Sequence, residues 1–144
     1  MKHFLFVWLV ISSFAMTAQV WETDYDTALQ KATKLHEPII LVFQGSDWCA
    51  PCIKLDREVW STDTFKQYAE GHFVMLQADF PRRKKNALPA AQEAQNKALA
   101  EKYNRQGIFP FVVVLNSDGK VLGETGYKKS TPEEYIKHLE SFIN

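Results

Sequence analysis

An apolar, β-prone run, Ile39-Ile40-Leu41-Val42-Phe43, leads into Gly45-Ser46-Asp47-Trp48-Cys49-Ala50-Pro51-Cys52, and a helix-like run from Ile53 to Trp60 leads out. Cys49 and Cys52 are the only two cysteines in the 144 residues. A strand that turns directly into a helix at Cys49 places that sulfur over the first unpaired backbone N–H groups of the helix. There the helix dipole favours thiolate over thiol. Cys52 lies one turn further in, near enough to attack a mixed disulfide formed at Cys49. That geometry is the machinery of thiol–disulfide exchange.

Two other readings of the cysteine pair are weaker. Half a zinc site would need two more ligands at short spacing, and His3, His36, His72 and His138 are isolated from one another. A purely structural disulfide would close a very short loop, which restricts an unfolded chain little. Redox chemistry is the expectation, with no metal.

Trp48-Cys49-Ala50-Pro51-Cys52 after an apolar strand, with Gly107-Ile108-Phe109-Pro110 before another, resembles the thioredoxin family. The wider pattern through Cys52-Ile53-Lys54-Leu55-Asp56-Arg57-Glu58-Val59-Trp60 is similar to secreted thioredoxin-like proteins. It is also similar to the C-terminal domain of the bacterial transmembrane thiol-reductant transporter. The resemblance runs from about Trp21 to the C-terminus. It implies an α/β thioredoxin fold, with a central mixed sheet of four to five strands flanked by helices on both faces. It also implies that Pro110 is cis and faces the cysteine pair. The substrate groove is then formed by Trp48, Ala50, Pro51, Phe109 and Pro110, and Cys49 and Cys52 are catalytic.

The rest of the chain agrees with one exported domain. Lys2 and His3 precede an unbroken apolar run from Phe4 to Ile11, and Ser13-Phe14-Ala15-Met16-Thr17-Ala18 supplies small residues for cleavage. Residues 1–18 read as a signal peptide and 19–144 as the thioredoxin-like domain; cleavage after Ala15 is the alternative to cleavage after Ala18. The apolar run falls short of the ~20 residues of a spanning helix, so no stable membrane anchor is expected. Seventeen basic residues balance seventeen acidic ones, so bulk charge gives no reason to expect nucleic acid. A periplasmic or secreted location is oxidising, and the pair rests there as a disulfide unless a partner supplies electrons. The expected partners are protein disulfide substrates and a thiol electron donor, the expected state is a monomer, and no cofactor is needed beyond the Cys49–Cys52 disulfide.

In chain order, Val20 and Trp21 suggest a short strand. A helix over 24–35 follows, with Ala28, Leu29, Ala32 and Leu35 at helical spacing and Thr23 or Asp24 as its cap. The strand over 39–44 leads to an active-site helix from Cys49 to about Trp60, with Ile53, Val59 and Trp60 toward the core. A shorter helix starts at Ser61 or Thr62, and a strand spans 73–79. Pro81-Arg82-Arg83-Lys84-Lys85 is the one dense charge run. It reads as a solvated loop, although parallel strands at 39–44 and 73–79 would bring it to the edge where Cys49 lies, to favour the thiolate there or attract acidic partner proteins. A helix over 88–103 has Pro89 in its first turn. A hairpin pairs 111–115 with 120–122, and Gly123 and Gly126 flank the end of its second strand. The last helix opens on Thr131 and Glu134 as a capping box, and Tyr135, Ile136, Leu139 and Phe142 form its buried stripe.

Direction and proton transfer are less fully specified. Strong oxidants and isomerases of this fold commonly carry a histidine between the cysteines, whose cation stabilises the reduced form. Ala50-Pro51 carries no charge, which predicts a reducing couple. Thioredoxin's buried aspartate and lysine correspond, by gapless alignment, to Phe43 and Met75, so the usual internal base is missing. Water, Asp56, Glu58 or Asp47 must take the proton. Thioredoxin's helix proline is replaced by Arg57. The competing functions are an oxidase or isomerase, and a non-catalytic adaptor or copper-handling chaperone.

Overall fold

The computed structural model describes residues 19–144; the signal-peptide expectation for 1–18 lies outside the described residues. Five strands form one sheet in the order β1-β3-β2-β4-β5: Trp21–Glu22, Ile39–Gln44, Val74–Asp79, Phe111–Leu115 and Val121–Gly126 are β1 to β5. Helices α1 (Tyr25–Leu35), α2 (Ala50–Leu55), α3 (Asp63–Ala69), α4 (Ala90–Tyr103) and α5 (Pro132–Glu140) complete it. β2 runs parallel to β3 and antiparallel to β4.

Alternation along the central strands divides the apolar residues into two cores. Ile40, Val42, Met75, Val112 and Val114 face Leu55, Val59, Trp60, Phe65, Tyr135 and Leu139. Ile39, Leu41, Phe43, Leu76 and Val113 face Ala28, Ala32, Leu99 and Tyr103. Trp60 anchors the first core, its ring 4.8 Å from Phe65, 5.3 Å from Tyr135 and 6.0 Å from Trp21, all edge-on. Helix ends follow their capping residues. Asp24 accepts the Thr27 N–H, Thr62 accepts the Phe65 N–H, and Thr131 and Glu134 close the capping box.

Register places the site. Gln44 pairs with Asp79, so β2 and β3 end together, and Phe43 pairs with Phe111, so β4 begins at that same edge. Three segments therefore converge there: 45–49 after β2, 80–86 after β3, and 107–110 before β4. This is the carboxyl edge where open α/β sheets bind ligands.

Several local expectations are corrected. The active-site helix is not uniformly α: it changes at Asp56 to a π turn that runs to Trp60, closed by the Ser61 N–H on the Asp56 carbonyl at 2.8 Å. At 3.6 residues per turn, Trp60 would lie about 140° around the helix from Leu55. The wider turn brings Leu55, Val59 and Trp60 all into the core. Arg57 sits inside this turn, so the helix is interrupted here without a proline. Ile53, expected in the core, is exposed, as is Leu35 at the end of α1. α4 starts at Ala90, with Pro89 just outside it. β5 is longer than expected and includes Gly123 and Gly126, which pair with Val114 and Phe111 of β4; a β-carbon on Gly123 would lie 2.2 Å from the Phe142 ring, so glycine is needed there.

Candidate active site

Cys49 is the N-cap residue of α2. Its backbone is extended, its N–H donates to the Gly45 carbonyl at 2.9 Å, and its Sγ accepts the Cys52 N–H at 3.3 Å. The sulfur therefore occupies the place where a helix start holds an anion, and α2 with its π continuation extends behind it from Ala50 to Trp60. Cys49 and Cys52 form a disulfide, both nearly buried, with Ala50 and Pro51 exposed between them.

Gly45 sets the position of Trp48. A β-carbon there would fall 2.2 Å from the indole, so only glycine lets the ring lie against the end of β2. Trp48 Nε1 then donates to the Phe80 carbonyl at 2.7 Å. Phe109 packs edge-on against Trp48 at 5.5 Å and against Phe80 at 5.4 Å, and the peptide between Phe109 and Pro110 is cis. The three aromatic rings join the three convergent segments into one half-buried surface beside Cys49.

Polar contacts hold the first two segments together. The Ser46 N–H and hydroxyl donate to the Asp79 carboxylate at 2.9 and 2.6 Å. The Asp47 carboxylate accepts the N–H groups of Arg82 and Arg83, both at 2.9 Å, and the Asn86 amide at 3.0 Å. The Arg82 N–H, then the Asn86 amide, hold the Asp47 acid down to about 2. The Arg82 guanidinium lies 3.6 Å above the Trp48 ring.

The three acids proposed for the proton are not brought to one point. Asp47 is committed to the 82–86 loop. The Asp56 carboxylate accepts the Ser61 hydroxyl at 3.0 Å across the π turn. Glu58 accepts the Tyr127 hydroxyl at 2.8 Å and lies 3.9 Å from the Lys54 ammonium. Hydrogen bonding to Tyr127 raises the Lys54 pKa. Phe43 and Met75 are buried in the two separate cores. Phe80 is the site residue that the sequence alone did not single out, whereas the 82–85 run lies at the Cys49 edge as parallel β2 and β3 implied. The register that ends β2 and β3 together is the signal that finds Phe80.

A family model described as thioredoxin-like matches residues 20–117. The chain belongs to the thioredoxin-like family. Among thioredoxin-like relatives it is 36% identical over 123 residues to "Disulfide bond reductase DsbH" of Chlamydia pneumoniae, covering 85% of this chain and 72% of that protein. A solved structure described as "DsbH Oxidoreductase" superposes with a TM-score of 0.80 at 32% identity, over 88% of this chain and 85% of that one. The oxidised C-terminal domain of Neisseria meningitidis DsbD, at 20% identity and TM-score 0.55 over 81% and 90% of the two chains, shares the thioredoxin-like fold. With its dithiol pair on this scaffold, the protein is a thiol:disulfide oxidoreductase.

Proposed function

We propose that the protein is an exported reductase of polypeptide disulfides, acting through Cys49 and Cys52. The observation that carries this reading is the Cys49 sulfur at the mouth of α2, bonded to Cys52 and bordered by uncharged Ala50-Pro51. In the reduced protein the Cys49 thiolate attacks one sulfur of a client disulfide. The client S–S bond breaks, a mixed disulfide forms, and the leaving client thiolate takes a proton. Cys52, deprotonated, attacks Cys49 Sγ and releases the second client thiolate, which is protonated in turn. Two electrons and two protons pass to the client, and Cys49–Cys52 is left oxidised for a thiol donor to reduce.

Trp48, Phe109 and Pro110, with exposed Ala50 and Pro51, form the client surface in this reading. Solvent takes the Cys52 proton. Asp47, held near 2, is a poor base at neutral pH, and Phe43 supplies none. Asp56 and Glu58 are engaged by Ser61 and Tyr127. Export rests on the N-terminal apolar run, with cleavage after Ala18. Among the described residues no helix is long and apolar enough to cross a membrane. Similarity to a protein named a disulfide bond reductase supports the reductive direction.

Insulin reduction with dithiothreitol as donor tests the reading. The protein is expected to accelerate it, and Cys49→Ser to abolish the acceleration. A redox titration is expected to return a potential near that of thioredoxin, about −270 mV. A value near that of the strong periplasmic oxidant, about −120 mV, would instead make the protein an oxidase.

A further inference from the structure

The four consecutive cations Arg82, Arg83, Lys84 and Lys85 are all exposed, and none joins an ion pair among the described residues. A charge run in this condition is ordinarily a solvated loop. This one differs in being fixed to the redox site at three points. Asp47, two residues before Cys49, accepts both arginine N–H groups. Trp48, the next residue, donates to the Phe80 carbonyl and carries the Arg82 guanidinium on its ring. Neighbouring carboxylates are already committed: Asp47 accepts three hydrogen bonds from the loop, and Asp79 accepts those of Ser46. Asp47 and Asp79 offset part of these four positive charges, and the run keeps a net positive field in a chain whose total formal charge is zero. Behind the loop a cleft of about 250 Å³ is lined by Phe80, Pro81, Arg83, Lys84 and Leu88, with the Glu93–Lys97 pair at its side.

We propose that residues 82–85 form a docking strap for an acidic polypeptide segment adjoining the client's disulfide. The protein would thereby select acid-flanked disulfides among its clients. The proposal deepens the reductase reading above and rests on it. A polypeptide fits better than an anionic membrane because the strap is laced to the aromatic surface beside Cys49, where the bound partner must also present a disulfide. The attraction is screened within about 8 Å at physiological salt, so the acids must lie within a few residues of the client cystine. Steering of this kind raises association rate and sets partner choice more than it alters the chemistry at sulfur.

The test uses single-turnover oxidation of the reduced protein by three cystine peptides, identical except for acidic, neutral or basic flanks. Bis(2-hydroxyethyl) disulfide serves as an uncharged control. The acidic peptide is expected to react about ten-fold faster than the neutral one at low salt and to lose that advantage at high salt. R83Q/K84Q/K85Q should remove most of the advantage while the control rate stays within about two-fold, since the strap acts on association and not at sulfur. Equal rates for the three peptides, with the control still reduced, would overturn the docking strap and leave the reductase reading intact. Saturable binding to phosphatidylglycerol vesicles alongside equal peptide rates would overturn it in favour of a membrane surface. A dithiol inert toward all four disulfides would overturn both readings.

Discussion

A single absent methyl group shapes the surface beside Cys49. Gly45→Ala forces the Trp48 indole off the end of β2 and strands the Phe80 carbonyl it now satisfies. The expected cost is about 1–3 kcal/mol, from overpacking plus the lost hydrogen bond, read as a lower denaturant midpoint. Client reduction should slow as well, because Phe109 loses its packing partner. Asp47 makes a second residue-scale prediction. Its carboxyl is held at about 2, below the ordinary value of about 3.9 in an unfolded chain. A group depressed in this way contributes its full share of stability above the ordinary value and loses it as pH falls through the folded one. Denaturant unfolding of the wild type and Asp47→Asn should show a stability gap that is constant near neutrality and closes between about pH 4 and pH 2. A gap that persists below this window would mean that the ionised state of Asp47 is not the source of its stabilisation.

At the scale of elements, what could be read in advance was what residue type and spacing encode. The capping box of α5 is such a case: Thr131→Ala should cost about 1 kcal/mol in thermal or denaturant unfolding and leave the rate of disulfide reduction unchanged. The all-apolar strands β2 and β4 and the α5 stripe of Tyr135, Ile136 and Leu139 belong to the same class, and so does the strand-to-helix turn at Cys49; Phe142, expected in that stripe, lies beyond α5 and is only partly buried. The π turn from Asp56 to Trp60 was not legible, because no residue in Asp-Arg-Glu-Val-Trp encodes it. It arises from tertiary demand, since Leu55, Val59 and Trp60 must all reach one core. Ile53 and Leu35 were misplaced for the complementary reason. Each is apolar and at a plausible spacing, yet each helix is covered on one side only and they fall on the other. Phe80 required knowledge of which strand ends coincide, which local sequence does not carry; the charge run could be placed there through the parallel pairing that the resemblance implied.

Across the whole molecule, the sheet serves as a partition. Trp60 and the residues around it fix α2 from one side, and Phe43, Leu41 and Leu99 fill the other. The cysteine pair lies at the edge where β2 and β3 finish and β4 starts, and the proposed client surface lies there too. Phe43, where thioredoxin keeps an acid, serves packing, and the proposed mechanism leaves the proton to solvent. The central claim is that Cys49 attacks and Cys52 resolves. Its most direct test is trapping with a disulfide-containing protein client. Cys52→Ser should accumulate a covalent mixed disulfide through Cys49, visible by non-reducing electrophoresis and mass spectrometry and released by dithiothreitol, whereas Cys49→Ser should accumulate none. Equal trapping by the two variants, or trapping only by Cys49→Ser, would contradict the assignment.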